Sequence, residues 1–82
     1  MAYQAEAQST HKLLRKGNKL YEEQHYSDAE ANYKKALLKD SSSATGLFNL
    51  GNALYHQKRY KEAFARYEQN LKDKTLSKQD IS

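Results

Sequence analysis

A short run, Gly17-Asn18-Lys19-Leu20-Tyr21, returns 34 residues further on as Gly51-Asn52-Ala53-Leu54-Tyr55. The same offset carries Leu13 to Leu47, Tyr26 to Tyr60, Ala29 to Ala63, Ala31 to Ala65, Tyr33 to Tyr67 and Leu37 to Leu71, without a gap. Ungapped self-similarity at this period is the mark of stacked helical hairpins, because each unit has an apolar face that only a neighbour can cover. No other feature of the chain restricts its fold so severely.

Within each copy the apolar residues keep helical spacing. Leu13, Leu14, Gly17, Leu20 and Tyr21 form one stripe at intervals of three and four. They predict a first helix over residues 9–24, capped by Ser9 or Thr10. His25-Tyr26 reads as a turn, and Ser27-Asp28-Ala29-Glu30 as a capping box in which Ser27 and Glu30 satisfy free backbone N–H groups. A second helix is predicted over 28–39, burying Ala29, Tyr33, Ala36 and Leu37. The joint Asp40-Ser41-Ser42-Ser43 leads to a third helix over 44–57, with Leu47, Phe48, Leu50, Leu54 and Tyr55 as its apolar set. Lys58-Arg59-Tyr60 turns the chain into a fourth over 61–73, burying Ala63, Phe64, Tyr67 and Leu71. Gly17 and Gly51 fall inside predicted helices, where Gly costs about 1 kcal/mol relative to Ala. Close approach of a partner helix is the reason expected for both.

The ends are less regular. Residues 1–9 form an N-terminal extension, either helical or a disordered leader with a frayed end. Ser77-Lys78-Gln79-Asp80 repeats a helix-start pattern, and by register Lys78 opens a third unit. The domain plan is thus an extension over 1–9, repeats over 10–43 and 44–77, and the start of a truncated third repeat or capping helix over 78–82. Arrays usually need three or more units and a polar cap. The sequence therefore suggests a fragment of a longer array, or self-association through the open face of the second repeat.

The repeat resembles the tetratricopeptide repeat. Leu13, Gly17 and Leu20, then Ala29, Tyr33 and Ala36, fill that family's pattern in the first copy. Leu47, Gly51 and Leu54, then Ala63 and Tyr67, fill it in the second. The second copy departs at Asn70, where a small residue is usual, and Ser41 and Thr75 stand in place of the motif's closing proline. The resemblance implies an all-α fold, an α-α superhelix or helix-turn-helix solenoid, of two hairpins plus a C-terminal remnant. It also implies a concave groove lined by the first helix of each hairpin. Here that lining would be His11, Leu14, Arg15, Asn18, Tyr21 and Glu22, then Thr45, Phe48, Asn49, Asn52, Tyr55 and His56. Asn18 and Asn49 match two asparagines of the carboxylate clamp of chaperone-binding members, but Leu14 and Gln79 stand at its lysine positions, so a chaperone-tail receptor is not expected. The run from Arg15 to Tyr21, followed by that from Ser27 to Leu37, is also similar to bacterial aerotolerance-operon proteins, which carry such repeats and are associated with the cell envelope.

The function so implied is a protein-interaction module, part of a larger scaffold, that takes a partner peptide in the groove. Arg15, Asn18, Tyr21, Asn49, Asn52 and Tyr55 are the expected contacts. Arg15 offers a fork to a carboxylate. The asparagines offer donors and acceptors to a peptide backbone. The tyrosines offer flat apolar area. Each has a plainer reading: Asn after the motif glycine is often structural, and Tyr21 and Tyr55 can pack at the hairpin's edge. The alternative function is a structural or oligomerisation segment with no groove ligand.

Composition narrows the remaining choices. Eighty-two residues make one small domain with a thin margin of stability, of the order of 5 kcal/mol or less. There is no cysteine to supplement the core with a disulfide or to bind a metal through thiolates. The net charge of +4 comes from 14 basic and 10 acidic side chains, mostly mixed along the chain as on a solvated helix surface. Lys12, Arg15, Lys16 and Lys19 are the densest basic group, yet helical spacing spreads them around the cylinder, so nucleic-acid binding is not expected. No apolar run approaches the roughly 20 residues that span a bilayer, and the first eight residues lack a signal-peptide core. The chain reads as soluble, with cytoplasm and periplasm both open. His11, His25 and His56 have no partner in a recognisable metal-ligand pattern, Ser41 to Ser43 have no paired base, and the glycines form no phosphate-cradling loop. The sequence thus predicts no enzyme, no catalytic residue, no metal and no cofactor.

Overall fold

Apolar spacing of three and four residues becomes four helices: α1 (Ala2–Glu22), α2 (Tyr26–Lys39), α3 (Ala44–His56) and α4 (Tyr60–Ile81). In this computed structural model the described residues are 2–81 for the backbone and 10–73 for the side chains, and no strand occurs among them. Connections of three to four residues fold the chain back at each joint, so α1 packs on α2, α2 on α3, and α3 on α4. α1 also touches α3 directly. The result is two helical hairpins side by side, an all-α helical repeat.

The core follows the repeat. Ala29, Tyr33 and Ala36 of α2, Leu47, Leu50, Ala53 and Leu54 of α3, and Ala63 of α4 are buried. The two copies are not buried alike. Tyr33 is 1% exposed because α2 lies between α1 and α3, whereas its counterpart Tyr67 is half-buried. Phe48, Tyr55, Phe64 and Leu71, all expected in apolar sets, are exposed by about half or more. Leu37 is half-buried and closes over Gly46.

The glycines serve the tyrosines. A Cβ built on Gly17 would stand 2.6 Å from Cε1 of Tyr33, and one on Gly51 would stand 2.8 Å from Cδ1 of Tyr67. The close approach expected at these positions is thus the seating of an aromatic ring from the second helix of each hairpin.

Several expected boundaries move. α1 starts at Ala2, so Ser9 and Thr10 lie inside it rather than at its start. The reason is local: Ala2, Gln4, Ala5, Glu6, Ala7 and Gln8 are mostly strong helix formers. The capping box at Ser27 does not form. α2 starts at Tyr26, its N-cap position is His25, and no side chain caps it. The chain reverses more abruptly than expected because Gln24 (φ 67°) closes α1 in the left-handed region. The N–H of His25 then donates to the Leu20 carbonyl and that of Gln24 to the Tyr21 carbonyl, a paired helix-ending motif. Lys58 (φ 65°), Arg59, Leu54 and Tyr55 repeat it in the second hairpin. Ser43 caps α3, its hydroxyl accepting from the Gly46 N–H at 3.0 Å. α4 runs unbroken through Ser77 and Lys78, where a further unit was expected to open. The side chains expected to begin that unit lie outside the described residues.

Candidate functional site

The side-by-side placement of α1 and α3 brings together residues far apart in sequence. Asn49 Nδ2 donates to Asn18 Oδ1 at 3.0 Å. The hydroxyl of Tyr33 donates to the same oxygen at 2.7 Å. Asn18 therefore joins three helices. In the second hairpin Tyr67 donates its hydroxyl to Asn52 Oδ1, so the bond recurs at the repeat offset. Burial pushes the Tyr33 hydroxyl up to about 12, with the nearby Tyr21 and Glu22 adding to the shift. It remains a donor through the physiological range.

One helical turn further on, the surface is aromatic. Tyr26 stacks on His56, with ring centroids 4.5 Å apart and planes 6° from parallel. Tyr21 meets His56 edge-on at 5.4 Å and Tyr26 at 5.2 Å. Tyr55 meets His56 at 6.2 Å and Tyr60 at 5.1 Å. Burial, then the neighbouring Tyr26, raises the Tyr21 hydroxyl above its ordinary value. His56 is thus the hub linking the first hairpin's tyrosines to those of the second.

Of the six residues expected in the groove, Asn18 and Asn49 are in contact, and Tyr21 and Tyr55 are joined through His56. Asn52 is tied to Tyr67 instead, while Arg15 is exposed on α1. None of the six is among the described residues lining three cavities along the hairpins. From the sequence, Tyr26 reads only as a turn residue. The signal for it was present, since the pair Tyr21 and Tyr26 recurs as Tyr55 and Tyr60 at the same offset, and both pairs meet edge to face.

The two hairpins are also clamped from behind. Glu30, expected in a helix cap, is instead buried against the next hairpin. Its carboxylate accepts from Arg59 Nη1 at 2.7 Å and Gln57 Nε2 at 2.9 Å, and pairs with Lys34 at 2.7 Å. Arg59 also holds Glu62 through its Nε. Burial pushes the Glu30 carboxyl up, but the bonds from Lys34, Gln57 and Arg59 outweigh it and hold it below the ordinary range. The clamp ties α2 of the first hairpin to the turn between α3 and α4.

Among the described residues no group of three or more His, Asp or Glu side chains is placed to hold a metal ion, and no helix is long and apolar enough to cross a membrane. A family model described as tetratricopeptide repeat matches residues 14–74, which takes in both hairpins. The match is to the repeat, and it lends nothing to the aerotolerance-operon resemblance. No curated protein sequence matches the chain.

Proposed function

The chain belongs to the tetratricopeptide repeat family, whose repeats mediate protein–protein interaction, and on that premise we propose that it holds an extended partner segment across α1 and α3. The observation that carries this reading is the Asn49 to Asn18 hydrogen bond, which draws the two helices into one polar surface flanked by aromatic rings. The amide oxygens of Asn18 and Asn52 are engaged by tyrosine hydroxyls, which leaves their Nδ2 donors for a partner's carbonyls. Asn49, its Nδ2 already used, offers its oxygen to a partner's N–H. Tyr21 and Tyr55 cover apolar side chains, and Arg15 takes a carboxylate. The test is a display library of unstructured peptides selected on the chain, with the hits then titrated against Arg15→Ala and Asn49→Ala. Hits that bind both variants as tightly as the parent end the groove assignment.

A second reading rests on the exposure of Phe48 and Phe64, 52% and 54%. Here the outer face of the second hairpin associates with a second copy and no groove ligand is needed. A mass by light scattering that stays monomeric at high concentration removes it.

A further inference from the structure

Leu38 is 88% exposed although it lies on a helix whose opposite face is buried. It stands between two cavities. One, of about 590 Å³, opens between α1 and α2 and is rimmed by Lys12, Lys35 and Lys39 over Leu13 and Leu38. The other, of about 440 Å³, lies on the far side of Leu38, floored by Leu37, Leu47 and Leu50 and edged by Lys34 and Arg66. No carboxylate is among the described residues lining either cavity. Lys34 is already paired with Glu30, which leaves the three lysines of the first rim as the main unneutralised charge.

The repeat shows that packing does not require this chemistry. At the same offset Leu38 becomes Lys72, Lys39 becomes Asp73, Lys35 becomes Gln69 and Lys12 becomes Gly46. An exposed leucine ringed by cations is therefore particular to the first hairpin. We infer that this surface is a second docking site, distinct from the groove, for an acidic protein segment carrying two large apolar side chains. The apolar side chains enter the cavities on either side of Leu38, and flanking carboxylates pair with Lys12, Lys35 and Lys39. Shape decides for a peptide over a bilayer. A lipid surface is broad and flat and would meet only the ridge, whereas side chains fill concavities with apolar floors.

The probe is a short synthetic peptide in which paired leucines alternate with paired glutamates, titrated by fluorescence anisotropy against the full chain. Leu38→Ser and the double variant Lys35→Glu/Lys39→Glu each weaken binding by roughly tenfold or more. Both change exposed side chains, and circular dichroism should confirm that they fold as the parent does. Added salt weakens binding, and a control peptide with lysine for glutamate does not bind. Binding unaffected by Leu38→Ser overturns the proposal, since charge alone would then account for it. So does equal binding of the control peptide. Phosphatidylserine vesicles that bind the chain more tightly than the peptide does, through the same residues, would assign the surface to a membrane instead.

Discussion

Gly17 lies so close beneath the ring of Tyr33 that no side chain fits between them, with 2.6 Å from a built Cβ to the ring's Cε1. The ring cannot retreat, because Tyr33 is 1% exposed and held at its hydroxyl by Asn18. In most helices Gly to Ala gains about 1 kcal/mol. Here overpacking costs about 1–3 kcal/mol and dominates. Gly17→Ala should therefore lower stability in urea denaturation. Gly51→Ala should cost less, since Tyr67 is half-buried and can shift. Equal costs would show that the second hairpin holds its tyrosine as firmly as the first.

Tyr33→Phe removes the bond to Asn18 and should cost about 1 kcal/mol. It should also change behaviour in alkali. The folded-state value is raised from 10.0 to about 12, so the contribution of the neutral hydroxyl is complete below pH 10.0 and lost as pH rises through about 12. The variant should lack that component. Ultraviolet titration of tyrosinate alongside chemical denaturation measures both.

The Glu30 clamp sets the acid limb. Its folded-state value is depressed below 4.5, so its contribution is present above pH 4.5 and is lost as pH falls through the folded value. Glu30→Gln should flatten the fall of stability in that acid range. At neutral pH, Glu30→Ala should cost about 1–3 kcal/mol by removing a largely buried acceptor of charged bonds. An acid limb unchanged in Glu30→Gln would place its origin in other carboxylates.

Gln24 and Lys58 occupy the left-handed region at φ 67° and 65°, which favours glycine. Gln24→Gly and Lys58→Gly should each raise stability by about 0.5–1 kcal/mol, part of the relieved strain being offset by the added freedom of the unfolded chain. Thermal melts of the single and double variants test this, and the gains should add because the two turns belong to separate hairpins.

For the groove, Asn18→Ala should be read differently from Asn49→Ala. The first breaks bonds to both Tyr33 and Asn49, so it should lower stability as well as affinity. The second removes one half-exposed donor and should act mainly on affinity. A loss of stability in Asn49→Ala as large as that in Asn18→Ala would make the pair structural.

The repeat offset and the three–four spacing were enough to place four helices, their order and most of the core on α2 and α3, though Phe48 and Tyr55, expected in the α3 apolar set, are exposed and buried Ala53 was not expected there. They were enough because each rests on local geometry: which side of a helix a residue occupies follows from its spacing alone. The helix ends were less legible. Ser27 and Glu30 spell a capping box, but the backbone of Gln24 and His25 had already reversed the chain, which freed Glu30 to reach the next hairpin. Asn18 illustrates the same limit in the candidate site. Its side was readable, but its hydrogen-bond partners were not.

By itself, then, the sequence determined that this is an all-α repeat of two hairpins, with Gly17 and Gly51 as points of close approach. Only the tertiary structure decided that those glycines seat Tyr33 and Tyr67, that His56 links the tyrosines of both hairpins, and that Glu30 reaches Arg59. The physical reason is range. Helical periodicity acts over a few neighbouring residues, whereas hydrogen bonds and ring contacts between hairpins depend on the angle and rotation at which two helices meet, which the packing of the whole core sets.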